Sequence, residues 1–276
     1  MKVATNIDIY TNNNPLEIVV LFKNILKKAI YPIMGIVSLL IFWWLGGYSI
    51  RTNPDMAAFA GFAPKPAFAA LQELIKGDEL WAAIGWSLYR VLLGLLWAVV
   101  IGVPVGLIVG YITVATKITN VPFQFLRMIS PLAWMPIAVL TFDTWDSAII
   151  FLIAMAAIWP IMFSTANGVR KIDPNWFKVA RNLGGSNIQM LRRIVLPAIM
   201  MDIVAGIRLA VGVAWIVLVP AEYLGVTSGL GYAINDARDT LSYDNLAAIV
   251  VVIGVIGYGL DSICSVLVKR FNWHSE

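Results

Sequence analysis

The chain has 276 residues, 60% of them hydrophobic and only 13% charged, with a net charge of +4. Soluble domains carry about 25% charged residues, so a water-soluble fold is excluded and one membrane domain accounts for the length. The single cysteine, Cys264, and single histidine, His274, exclude an internal disulfide, a His/Cys metal site and a histidine-assisted membrane hydrolase. The basic residues are scattered among loops flanking apolar runs, a pattern without a nucleic-acid patch.

Residues 1–14 are polar and Asn-rich, and no apolar run follows Met1 closely, which disfavours an ordinary signal peptide. Asn14 and Pro15 mark a helix start. Leu16, Val19, Val20, Phe22, Leu26 and Ala29 then alternate with Lys23, Lys27 and Lys28 in the manner of an amphipathic helix on the membrane surface, with Pro32 as a bend after it. A first span is expected over Ile33–Gly47; it is short against ~20 residues and begins inside the preceding helix. A polar segment over 48–80 contains a helix near Ala67–Ile75. The second span, Trp86–Ile112, carries Gly102, Gly106 and Gly110 four apart, a stripe suited to close packing within the subunit or to a dimer seam. Pro104 predicts a kink there.

The third span, Val121–Phe142, contains Pro122, Pro131 and Pro136. Irregular backbone at membrane depth survives only against protein or water, so this span is expected to face the bundle interior or a pathway. Asp143 and Asp146 close a short turn. Ala148–Gly168, Ala198–Tyr223 and Leu246–Val268 complete an all-α membrane protein of about six transmembrane helices. The organisation reads as a tail and interfacial helix at 1–32, a first span and external segment at 33–80, a core at 81–270 and a C-terminal tail at 271–276.

Between the fourth and fifth spans lies a polar, basic stretch, KVARNLGGSNIQMLRRIVLP at 178–197. The pattern predicts two short helices over 173–197. Asp173 caps the first, with Pro174 at its first position. Gly184 ends it in a left-handed turn, and Ser186 with Gln189 forms a capping box for the second. Pro197 interrupts the hydrogen-bond ladder before the chain turns apolar again. Trp176, Phe177, Ala180 and Leu183 share one face, with Lys178, Arg181 and Asn182 elsewhere. Such a hairpin suits docking to another protein, or is a plain basic loop at the membrane surface. Counted on this model, 14 basic residues fall on the hairpin's side and five, Arg51, Lys65, Lys76, Arg90 and Arg238, on the other. The positive-inside rule places both termini and the hairpin in the cytoplasm of an inner membrane.

Arg208 lies mid-span, where a charge costs at least ~2.5 kcal/mol and must face protein or a wet cavity. It either contacts an anion on the path or pairs with an acid, Asp261 or Glu222; Asp202 lies on the opposite side of the same helix. Glu222, after Pro220, shapes an external gate or sits as an interfacial carboxylate. Trp215 shares the face of Arg208 and lines the path or packs. Gly225, Gly229 and Gly231 supply a flexible external turn. No G-x-x-x-x-G-K-[ST] string and no G-x-S-x-G elbow is present, so the chain has no recognisable ATP site and no nucleophile motif of its own.

The hairpin resembles the signature loop of binding-protein-dependent ABC importer permeases, whose pattern is Glu-Ala-Ala, three residues, Gly, nine residues, Ile-x-Leu-Pro. Ala180, Gly184, Ile194, Leu196 and Pro197 match with full spacing, while Lys178 replaces the Glu and Val179 the first Ala. ELWAAIGWSLYRVLLG at 79–94 is similar to the segment opening the core in the nitrate/nitrite/bicarbonate–taurine–sulfonate family. LRMISPLAWMPIAVLTF at 126–142, AAIWPIMFSTANGV at 156–169, GIRLAVGVAW at 206–215 and PAEYLG at 220–225 resemble its nitrate, nitrite and bicarbonate branch, with nitrate favoured. The resemblance implies a type I importer permease fold with a cytoplasmic coupling hairpin. It implies a second permease copy as homodimer partner, two ATP-binding cassette subunits holding ATP and Mg, an extracytoplasmic substrate-binding protein or domain, and no cofactor in this chain. The ATPase-coupling residues it implies are Trp176, Phe177, Lys178, Ala180, Arg181, Gly184, Ser186, Ile194, Leu196 and Pro197. A substrate path at Arg208, Trp215 and Glu222 joins them. Bicarbonate or sulfonate/taurine import, and a stand-alone transporter or channel, are the alternatives; a membrane enzyme lacks any nucleophile–base pair.

Overall fold

With so few charges and so many Leu, Ile, Val and Ala, the chain satisfies its backbone internally and forms helices. The computed structural model describes the backbone of residues 15–271 and the side chains of 30–268, and all regular structure among them is helical. The expected interfacial face over 16–29 and the basic residues of both tails therefore lie outside the described side chains. The chain divides between Lys65 and Pro66 into two compact units.

In the first unit, α1 (Pro15–Thr52) runs unbroken through Pro32, so the expected surface helix and first span share one helix. Its segment Ile30–Thr52 is long and apolar enough to cross a membrane. A 3₁₀ helix, Pro54–Phe62, follows, its Asn53 cap accepting a hydrogen bond from the Asp55 N–H at 3.1 Å. The Trp43 indole N–H donates to the Phe62 carbonyl at 2.8 Å, and Gly47 lies against Ala63 and Pro64.

The second unit is built on three long helices: α3 (Asp78–Tyr111), α6 (Trp145–Lys171) and α9 (Leu196–Gly225). They are preceded by α2 (Pro64–Lys76), whose later residues belong to this unit. Glycines let the backbones meet. Gly102, Gly106 and Gly110 of α3 face Ile158, Met162 and Ala166 of α6, where an added Cβ would lie 3.2, 2.6 and 2.8 Å from their carbonyl oxygens. The stripe is thus an internal seam. Gly206 of α9 meets Pro160 and Ser164 of α6 in the same way. Val91, Ala98, Ile149, Leu152, Ile153, Ala210, Ala214 and Leu218 fill the apolar core. Pro104, Pro160 and Pro220 all lie within helices, their missing hydrogen bonds tolerated inside a packed bundle.

The expected third span is a broken one. The segment α4 (Thr113–Met128) bends by 88° into a 3₁₀ turn at Pro131–Trp134 and α5 (Met135–Thr141). Pro131 and Pro136 begin those two short helices, and the turn and α5 pack on α6. Among the described residues there are five candidate spans, or six if this bent pair counts as one. Asp146 is not a turn residue: it lies in the first turn of α6, after the Thr144 cap. Beyond α9, Gly229 and Gly231 lead into α10 (Leu230–Asp239), so the expected flexible turn is a structured helix start. Finally, α11 (Tyr243–Phe271) carries the sixth span.

Because the α3–α6 seam leaves no space for side chains, we expect Gly106→Val to destabilise the chain by about 2–3 kcal/mol through overpacking. Gly85→Ala, in the same helix with nothing within 4 Å of an added Cβ, should be neutral or stabilising. Thermal melting of the two variants in detergent checks the contrast.

Candidate functional site

The hairpin forms as its local chemistry dictates. The Asp173 carboxylate accepts from the Asn175 N–H at 2.9 Å and caps α7 (Pro174–Asn182), with Pro174 opening it. Gly184 has φ +74°, a conformation that any side chain would strain. The Gly185 N–H returns to the Ala180 carbonyl at 2.9 Å. Ser186 and Gln189 form the reciprocal box at the start of α8 (Asn187–Met190). The expected apolar face is split, however. Phe177 packs edge-on to Tyr111, 5.8 Å between ring centroids, and Ala180 is half-buried beside it. Trp176, 54% exposed, and Leu183, 83% exposed, point outward with Val179. Lys178, Arg181 and Ser186 are also exposed, and Ile194 and Leu196 are half-buried.

Pro197 removes one hydrogen bond from the ladder without breaking the helix. The residues just before it, Leu191–Val195, form a π-turn in which the Leu196 N–H reaches back to the Leu191 carbonyl. This wider turn absorbs the proline, and residues Asn187–Gly225 form one membrane-length helical stretch of 39 residues. The hairpin is therefore a direct extension of α9. Behind it, a cavity of about 580 Å³ is lined chiefly by apolar side chains of α3 and the hairpin.

At the far end of α9, the sequence concealed the main feature. Arg90, counted above with the basic residues of the external side, lies inside α3 and is 1% exposed. Its guanidinium contacts Glu222 at 2.5 Å and Asp146 at 2.7 Å, and donates to the Ser228 carbonyl and hydroxyl at 2.9 and 2.6 Å. Glu222 is fully buried. Besides Arg90, its carboxylate accepts from the Ser87 hydroxyl and from the Gly231 N–H at 3.0 Å. The Ser87 hydroxyl in turn accepts from the Leu230 N–H at 2.9 Å. Gly229, at φ +102°, abuts the carboxylate so closely that no side chain fits. Glu222 is thus not an interfacial acid. It is the centre of a knot joining α3, α6, α9 and α10.

Arg208 takes one of the two acid partners expected for it, Asp261, and is only partly buried. Its side chain is 40% exposed, and its fork meets Asp261 of α11 through two hydrogen bonds of 3.0 Å. Asp202 instead pairs with Lys171 at 2.7 Å. Trp215 is buried against Gly257 of α11, its indole N–H donating to the Ile253 carbonyl at 3.2 Å, and therefore packs rather than lines a path. Arg208 and Trp215 both meet α11, at Asp261 and Gly257, whereas Glu222 lies in the knot with Arg90. Among the described residues no group of three or more His, Cys, Asp or Glu is placed to hold a metal.

The model of the family described as binding-protein-dependent transport system inner membrane component matches residues 98–273. The bicarbonate transport system permease protein CmpB of Synechococcus elongatus is 34% identical over 242 residues, 86% of this chain and 87% of that protein. The nitrate import permease protein NrtB of Leptolyngbya laminosa is 34% identical over 187 residues, 68% of this chain and 67% of that one. These similarities do not single out the nitrate branch favoured above. A crystal structure of a bacterial ABC transporter involved in import of the acidic polysaccharide alginate superposes with a TM-score of 0.63 at 16% identity, covering 91% of this chain and 99% of its own, and shares the fold.

Replacing Arg90 by Met would leave Glu222 buried without its cation. We expect a loss of about 3–5 kcal/mol, with partial recovery when Glu222→Gln is added. Unfolding of the single and double variants in detergent measures both terms.

Proposed function

Since the chain belongs to the family of binding-protein-dependent transport inner-membrane components and has the type I ABC importer permease fold, we propose that it forms, with a second copy, the pathway of an ATP-driven importer for a small inorganic oxyanion. Permeases of this family are multi-pass inner-membrane subunits and not enzymes. Nitrate and bicarbonate are the candidate solutes, by similarity to relatives so named.

One observation carries the proposal: a capped hairpin with an outward apolar face is continuous with a membrane-length helix. Trp176, Val179 and Leu183 follow an i, i+3, i+7 stripe, the mode by which an amphipathic helix enters an apolar groove. In our reading the groove belongs to an ATP-binding subunit in the cytoplasm, and two such subunits serve the permease pair. ATP binding draws them together, and each hairpin is carried with them. Because α9 leaves the hairpin without a break, the movement is delivered along its length to the knot around Glu222. The helices then exchange inward-open for outward-open access. A substrate-binding protein or domain delivers the solute outside. Lys178, in place of the family's Glu, leaves the docking to apolar contact and shape.

The exposed Arg208–Asp261 pair has a place in this assembly. An ion pair facing lipid at mid-membrane is costly, so its surface, on α9 and α11, is covered by the second copy or by the aqueous path. Paired with Asp261, Arg208 acts as a structural clasp rather than as a bare cation.

With co-expressed ATP-binding subunits, Leu183→Asp and Gly184→Val should abolish copurification without changing the fold; the second forces a side chain into a left-handed turn at a cost of about 1–3 kcal/mol. Full copurification of both would remove the docking reading. Uptake of labelled nitrate and bicarbonate into vesicles loaded with ATP tests the transport assignment. Arg208→Asp and Asp261→Arg should each impair assembly or uptake, and the double exchange should restore most of it; equal defects in the single and double variants would contradict the clasp.

A further inference from the structure

The cations at membrane depth differ in what faces them. Arg90 is held by two carboxylates, Arg208 by Asp261 and Lys171 by Asp202. Arg127 of α4 and Arg170 of α6 have no ion pair among the described residues. Both line one cleft of about 400 Å³, together with Thr116, Asn120, Gln124 and Asn167, and no carboxylate is in its wall. The Arg127 guanidinium stacks over Phe163 at 5.4 Å, which fixes its plane and leaves its N–H edge free. Arg170 reaches the Thr116 hydroxyl at 3.4 Å, a long contact that holds it over the opening. The Gln124 amide donates to the Asn120 carbonyl oxygen at 3.0 Å, so the Asn120 NH₂ stays available.

The surface of α4 reinforces this. Val114, Ile118, Val121 and Phe125 form an exposed apolar stripe, while Thr116, Asn120, Gln124 and Arg127 line the cleft with Phe163, Asn167 and Arg170 of α6. Polar and ionisable residues at membrane depth face the bundle interior or a water-filled cavity. The cleft extends from Arg170, in the last turn of α6, to Phe163, seven residues or about 10 Å deeper.

We propose that this cleft binds a small oxyanion, with Arg127 and Arg170 as its two cations and the Asn120 and Asn167 amides as further donors, and that it is the hairpin-side segment of the solute path. Guanidinium forks match the paired oxygens of nitrate, bicarbonate or a sulfonate, and water-filled space lets the ion leave. The assignment of the site to a path rests on the importer reading; the binding itself does not.

The test is equilibrium binding of labelled nitrate, bicarbonate and methanesulfonate to the full chain in phosphatidylcholine nanodiscs at constant ionic strength. Wild type should bind at least one probe saturably. Arg127→Gln and Arg170→Gln should each weaken it about tenfold or more, the loss expected for one charge-assisted contact. Arg127→Lys should fall between, since it keeps charge but loses the fork. Unchanged elution and ATP-binding-subunit capture identify folded variants. No saturable binding by wild type, or affinities within about twofold in both Gln variants, overturns the proposal. So does displacement of the probe by phosphatidylglycerol through the same arginines, which would mark a lipid-headgroup site. ATP-driven uptake by wild type scores the importer reading separately: binding without uptake contradicts that reading alone.

Discussion

A carboxylate with no access to water must be held by a cation and by donors, and Glu222 meets that demand with three groups. Arg90 supplies the charge, Ser87 and the Gly231 N–H complete the shell, and Asp146 offsets the second half of the guanidinium's capacity. None of the buried side-chain polar atoms among the described residues lacks a partner. The network costs desolvation on every member, so its contribution is specificity more than net stability. It ties α3, α6, α9 and α10 together at one point, each supplying a group to it.

The opposite end of α9 follows a different rule. There the hairpin holds its shape through local caps and one left-handed glycine, and it leaves apolar side chains facing outward. Between the two ends, small residues bring α9 and α3 against α6 with almost no intervening side-chain volume. Close-packed backbones deform little. Under the proposed function, a movement imposed on the hairpin would be passed on by the bundle instead of being absorbed within it. The polar cleft beside α4 lies outside this tight seam, where a path for a hydrated ion has room.

Legibility in the sequence follows the range of each interaction. Spans, the Asp173 cap, the Ser186–Gln189 box and the Gly184 turn are set by neighbours within a few residues, and all were readable. The glycine stripe of α3 was readable as a seam, because a period of four on one face has few other uses. Arg90 was not, because its partners Asp146 and Glu222 lie 56 and 132 positions away. Ser87 three residues before it, on the same helix face, was the available signal. Depth led to an acid partner for Arg208, and Asp261 is one of the two named; it did not tell that the pair would stay partly exposed on its own chain. The wide turn at Leu191–Val195 was likewise hidden, since a proline signals a lost hydrogen bond but not where the helix rearranges to accommodate it.

The central claim is that hairpin and α9 move as one body. It is tested most directly by the spin-label distance between Ile188→Cys and Ile216→Cys within one chain, on a Cys264→Ser background, in the assembled transporter diluted with unlabelled chains. Both positions are exposed, and 28 residues of helix separate them by about 42 Å. A rigid lever predicts one narrow distribution that does not shift when a non-hydrolysable ATP analogue is added. A second population, or a shift of more than about 5 Å, roughly one helical turn, would place a hinge at Leu191–Val195 and contradict it.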